Sequence, residues 1–420
     1  MRRKFVQVMI GIVGLAALTS GCARPRGELA GIEQLQAAGY SKFWTTNLPL
    51  LQGDQVRTVA LVDDNLYVTT RRGYVLAVQA DVGMVRWAAK VAREVDDIFP
   101  PTHVQIPEGG GPTMVVTSTE VFVFDRYSGH ELKHFKLEFP PGASAAGDAE
   151  RLYIGSNNGS VYALIWNTPR SEAIQAWRVQ VGAAVVAAPV FLGSDGLLIA
   201  TRDGTAYACT AFQKVQLWRF STDGPLVATP WTDESGAYIA SSDRSLYHLH
   251  ALDGALVWRC RLPQPLTEAP AVAGHTIYQY SHNDGIYAID LDRGTIVWHE
   301  PAGRHFLARE GERVCLLTGD RHVQVLDAKT GRALHSIDVP EADFSASNTR
   351  DGAIFLVSAD GRALCATPGN VPYIRREQAI AARQRLTTPP GSAAAASQPR
   401  DKKADVSDDT SDPLRSRLAR

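Results

Sequence analysis

The stretch that decides the fold reads Ile277-Tyr278, then Asp284-Gly285, then Ile286-Tyr287-Ala288-Ile289-Asp290, then Gly294 and Trp298. Short segments of β-prone residues are separated by polar turns, the pattern of consecutive antiparallel strands. The first copy of the same unit is Leu66-Tyr67-Val68-Thr69-Thr70, Arg71-Arg72-Gly73, Tyr74-Val75-Leu76-Ala77-Val78, Asp81-Val82-Gly83 and Trp87. The unit recurs about every 40 residues between Leu66 and Cys365, the signature of an architecture built by repetition. Its second strands fall around Tyr67, Val115, Tyr153, Leu198, Tyr238, Tyr278, Cys315 and Phe355, so the count is eight.

Gly83 precedes Trp87 by four residues, as Gly254 precedes Trp258 and Gly294 precedes Trp298. Glycine suits a hairpin position of positive φ, and the tryptophan after it has the area to bury against a neighbouring sheet. Trp177 and Trp218 fill the same slot, although Lys214 replaces the glycine in one copy and residues 167–171 lengthen the turn in another. Lys133 and His335 stand in the slot of the second and seventh copies, which predicts the two loosest interfaces there. The last copy ends at Ala363-Leu364-Cys365 without a tryptophan strand. Phe43-Trp44-Thr45-Thr46-Asn47-Leu48 reads as the missing outer strand, which would close the ring and leave no open edge. Ala188-Pro189-Val190, Thr229-Pro230-Trp231 and Ala269-Pro270-Ala271 read as starts of innermost strands, because proline cannot donate to a ladder and belongs at an edge. The expected fold is all-β, an eight-bladed propeller closed by an N-terminal outer strand, with Trp44, Trp87, Trp177, Trp218, Trp258 and Trp298 as docking residues.

The unit Tyr287-x-Ala288-x-Asp290…Gly294-x-x-x-Trp298 resembles the tryptophan-docking repeat of the pyrroloquinoline-quinone-type eight-bladed propellers, over residues 40–372. Within that superfamily, length and N-terminus most resemble the propeller lipoprotein of the outer-membrane β-barrel assembly machinery. The resemblance implies a scaffold that meets other envelope proteins through its loops and anchors to a membrane by lipid. It is far more specific for fold than for function.

The N-terminus begins with basic Arg2, Arg3 and Lys4, an apolar run over 5–18, and Leu18-Thr19-Ser20-Gly21-Cys22. That run is too short to span a bilayer and has the three-part layout of an export signal. Its end resembles a bacterial lipobox, with Thr19 where leucine is usual, which implies acylation of Cys22. Ala23 after the cysteine implies sorting to the outer membrane. The expected organisation is a signal peptide over 1–21, a membrane linker over 22–39 with a short helix near 32–38, the propeller over 40–374, and a disordered tail over 375–420 with a short helix over 377–385. The tail is rich in Gln, Ala, Pro and Ser and buries too little apolar surface to order itself.

Hydrophobic residues make up 45% of the chain and charged residues 21%, an ordinary globular composition. A net charge of -1 offers no basic footprint, so nucleic acid is not an expected partner. Cys209, Cys260, Cys315 and Cys365 lie in separate repeats and read as small buried hydrophobes. No two cysteines are adjacent and no haem-attachment motif occurs, so the quinone chemistry of related dehydrogenases is not carried over and no cofactor is expected. His248 and His250 share a strand face without a third metal ligand in reach of the pattern, and Asp290-Leu291-Asp292 reads as a turn. The expectation is a non-catalytic, monomeric envelope scaffold that binds proteins, and the resemblance implies a part in outer-membrane protein assembly. The alternative is a propeller that binds a quinone or a metal.

Overall fold

The computed structural model describes residues 27–106 and 109–369. They form eight antiparallel four-stranded sheets arranged as the blades of a propeller. Blades 1 to 7 take consecutive segments, 56–90, 102–136, 146–180, 190–221, 231–261, 271–300 and 303–338. Blade 8 joins strands from 344–368 to the N-terminal strand Tyr40–Asn47, which pairs with Arg362–Pro368 from Tyr40↔Pro368 to Asn47↔Arg362. The ring is therefore closed by hydrogen bonds between the two ends of the chain, as the sequence required.

All eight second strands lie where the repeat count places them. Several, such as Thr276–Ser281, are buried along their whole length because neighbouring blades cover both faces. The outer strands show the opposite pattern, with one or two buried positions among exposed ones. Short inner strands begin just after the prolines, at Val190–Leu192, Trp231–Thr232 and Ala271–Ala273. The core is accordingly a ring of clusters between adjacent blades. In one of them Tyr278 and Trp298 of blade 6 pack with Phe306 and Leu316 of blade 7.

The six tryptophans follow one rule. Each indole N–H donates across the interface to a carbonyl of the next blade: Trp44 to Ala80, Trp87 to Arg126, Trp177 to Ala211, Trp218 to Ala251, Trp258 to Leu291 and Trp298 to Ala328, at 2.8–3.2 Å. Three residues after each acceptor stands a residue of positive φ, namely Gly83, Gly129, Lys214, Gly254, Gly294 and Gly331. The glycine has two reasons to be there. Gly254 adopts φ 68°, and a Cβ on it would lie 2.6 Å from the Trp218 ring. The glycine and tryptophan of one sequence repeat therefore serve different interfaces.

A β-bulge sits immediately before the tryptophan slot in every blade, at Phe43, Arg86, Leu132, Ala176, Leu217, Val257, Val297 and Leu334. An extra residue re-aims the side chain that follows and twists the outermost edge, which blunts it against pairing with other chains. No spacing in the sequence announced it.

The two slots without tryptophan differ from each other. Lys133 donates its ammonium to the carbonyls of Thr168 and Arg170 of blade 3, so a charged donor replaces the indole N–H. The seventh interface is filled by the chain's beginning instead, which corrects the expectation of a loose contact there. Helix Ile32–Ala37 buries Leu35, Gln34 exchanges hydrogen bonds with Asp338, and the Tyr40 hydroxyl lies 3.1 Å from Cys315 Sγ. Leu29, Ala30, Leu35 and Ala38 join the apolar cluster between blades 7 and 8, so this stretch, read as linker, is part of the packed body.

Candidate functional site

In a ring of near-equivalent blades, the informative places are those where the repeat is broken. Blade 2 breaks it most. The loop after its inner strand Thr102–His103 is enlarged by Gly109, Gly110 and Gly111, and Lys133 takes the tryptophan slot.

The break with blade 1 is electrostatic. At the bulge position seven blades carry an apolar residue, and blade 1 carries Arg86. At the carbonyl that receives the indole, the other five docking pairs use alanine or leucine, and blade 2 uses Arg126. Both guanidiniums turn inward, their side chains 6% and 9% exposed, and both reach Asp64 on the first turn of blade 1. Burial alone would raise the Asp64 carboxyl, but Arg86 and Arg126 hold it below its ordinary value. Arg126 also pairs with Asp63, which has a left-handed φ of 48°. Tyr127, 38% exposed, lies over both arginines at 4.9 and 5.7 Å.

Beneath this surface the network continues inward. Asp63 holds His103 at Nδ1 (2.7 Å), and the Tyr67 hydroxyl meets His103 Nε2 (2.7 Å), Thr113 (2.6 Å) and the amide of Asn65 (2.9 Å). Burial lowers the His103 pKa against the opposing pull of Asp63, and raises the Tyr67 phenol to about 12. Several buried atoms here, including Arg86 Nε and Nη1, Arg126 Nε and Gln79 Nε2, have no hydrogen-bond partner among the described residues. Such groups are ordinarily satisfied by buried water. Tyrosine and arginine held rigid at a surface are the residues most often found at the centre of protein interfaces.

The break with blade 3 is a cleft. Its volume is about 910 Å³, between the outer strands Glu131–Lys136 and Ile174–Gln180. Phe139 and Tyr162 stack within it at 3.6 Å, and Leu132, the bulged residue beside it, is 49% exposed. Trp166, on the long turn of blade 3, buries itself here and donates to Asp148 (3.1 Å).

The remaining histidine and acidic pairs of the propeller have local roles. His248 stacks on Tyr238 at 4.2 Å, whereas His250 is exposed and faces Asp253, so the two are not brought together as a pair. Asp290 accepts from the amides of Asp292 and Arg293, as a turn aspartate does. Asp96 pairs with Arg93, and Asp97 with Arg57. The four cysteines of the propeller are free and buried. Among the described residues no group of three or more His, Cys, Asp or Glu is placed to hold a metal. Cys22 and residues 377–385, where a short helix is expected, lie outside the described residues.

The family model of the outer membrane protein assembly factor BamB matches residues 172–266 and 248–398, together more than half of the chain. The chain belongs to the BamB family. The crystal structure of BamB from Moraxella catarrhalis superposes with a TM-score of 0.62 at 16% identity, covering 80% of this chain and 99% of that one. The computationally designed Ika8 protein matches with a TM-score of 0.60 at 14% identity over 76% of this chain and 98% of its own, and Sqt1 from Saccharomyces cerevisiae with 0.61 at 12% identity over 80% and 99%. A designed protein and a yeast protein share the fold with a bacterial BamB, so at these identities the likeness speaks for the propeller alone. No curated protein matches the chain in sequence. The BamB match begins at 172, so the arginine–carboxylate cluster and most of the cleft wall lie outside the residues that the family model matches.

Proposed function

We propose that this BamB-family propeller is a non-catalytic scaffold of the bacterial envelope that binds protein partners in outer-membrane protein assembly, held at the membrane by an acylated Cys22. The observation that carries the reading is the rigid surface built where the repeat fails, with Tyr127 over Arg86 and Arg126 and the aromatic cleft beyond. Buried ion pairs fix these groups before a partner arrives, which lowers the ordering cost of binding. Membership of the BamB family supports the assembly role. The lipobox-like Leu18-Thr19-Ser20-Gly21-Cys22 supports the anchor. Three acyl chains would hold the protein stably where one would not.

The test is purification of the tagged protein in mild detergent from its native envelope, with mass spectrometry of what accompanies it. Barrel-assembly proteins that co-purify with the wild type and are lost with Tyr127→Ala, at unchanged melting temperature, are the expected result. Retention of the same partners by Tyr127→Ala would move the binding face elsewhere, and a bound quinone or metal in place of any protein would overturn the scaffold reading. Cys22→Ser should release the protein from membranes. Continued membrane association of that variant would refute the anchor.

A further inference from the structure

A second pocket, of about 390 Å³, opens between blades 8 and 1 and shares Asp64 with the arginine cluster. Its floor is apolar: Phe355, Cys365 and Ala80 are buried, and the bulged Phe43 is half-buried. Its margin is acidic. Asp81, Glu310 and Asp351 are exposed there, with Arg350 as the one cation among the lining residues. Asp351 is engaged in its own turn, but Asp81 and Glu310 have no ion pair among the described residues. An apolar floor inside a carboxylate margin fits a peptide that carries apolar side chains beside basic ones.

Such a peptide follows the pocket directly in the sequence. Pro368 lines the pocket, and Gly369 is pinned beside it by its amide to the Gly39 carbonyl (2.9 Å) and by Ser41 Oγ donating to its own carbonyl (2.6 Å). The next residues are Asn370-Val371-Pro372-Tyr373-Ile374-Arg375-Arg376. We infer that the pocket between blades 8 and 1 is a docking site for the chain's own segment 371–376, whose apolar side chains enter the floor while Arg375 and Arg376 meet Asp81 and Glu310. Seven residues reach at most about 25 Å, so the segment stays within range of the pocket, at the millimolar effective concentration of a short tether. The docked segment would lie beside the Arg86–Arg126 cluster, since Asp64 is a wall of both. This inference is independent of the scaffold reading.

The test uses the full chain. Hydrogen exchange followed by mass spectrometry should show amides of 371–376 exchanging at least about tenfold more slowly than in the Asp81→Lys/Glu310→Lys variant. Arg375→Glu/Arg376→Glu should lose the same protection while leaving the propeller untouched, which separates lost docking from lost folding. A photo-crosslinking residue at Tyr373 should join Phe43, Ala353 or Phe355 of the same chain. Equal exchange in wild type and both variants would overturn the proposal. So would crosslinks that join two copies of the chain or a co-purified protein.

Discussion

The interface between blades 5 and 6 and that between blades 2 and 3 solve the same problem with different residues. At the first, Trp258 spans the gap, donates to Leu291 and rests on Gly294, whose Cβ would meet the ring at 2.4 Å. At the second, Lys133 donates to Thr168 and Arg170, the facing turn is longer, and the apolar filling comes from Trp166 and the Phe139–Tyr162 stack. The tryptophan interface is generic, because one large side chain brings both the area and the donor. The lysine interface keeps the donor but loses the area, and a cleft remains. Stability is thus concentrated where the repeat is regular, and a distinctive surface appears where it is not.

Experiments can break this contrast. Trp298→Ala removes a side chain 7% exposed together with its hydrogen bond to Ala328, and should cost about 3–5 kcal/mol in denaturant unfolding. A loss below about 1 kcal/mol would show that the indoles do not hold the blades. Gly254→Ala forces a side chain into the left-handed region and against Trp218, and should cost about 2 kcal/mol or more. Lys133→Ala should cost less, about 1–2 kcal/mol, since its charged hydrogen bonds are partly open to water. Lys133→Trp sharpens the point: no left-handed glycine faces that slot, so the substitution should not stabilise the protein, and a higher melting temperature would refute the pairing rule.

The smallest effect concerns pH. Burial lowers the pKa of His103 and His248 relative to the unfolded chain, so folding favours their neutral forms. Their contribution is complete above the unfolded value near 6.5 and falls away as pH drops from there towards the folded values. Melting temperature should therefore decline from pH 7.5 to 5.5, and the slope should be shallower in His103→Gln. An unchanged slope would mean that His103 titrates as an exposed histidine.

The blade-1 arginines were legible only in part. Arg86 stands immediately before Trp87, where the other tryptophan copies carry Phe43, Ala176, Leu217, Val257 and Val297, so a comparison of repeats marks it as exceptional. Nothing local shows that it turns inward, because that depends on Asp64 at one side and Arg126 of the next blade at the other. The cleft was foreshadowed by Lys133 in a tryptophan slot, whereas the helix over the seventh interface was not foreshadowed by His335.

By itself the sequence determined the strands, their number and the closure of the ring, because strand period, turn residues and the 40-residue repeat are local and recur eight times. It also marked Trp44, Trp87, Trp177, Trp218, Trp258 and Trp298 as candidates to dock one blade on the next. Only the tertiary structure decided that each tryptophan rests on the left-handed residue of the following repeat, a glycine for all but Trp177, which meets Lys214, and that a bulge aims it there. It also decided that Asp64 serves both an arginine cluster and a pocket. These are relations between neighbouring blades, set by the twist and packing of whole sheets, and no single repeat contains them.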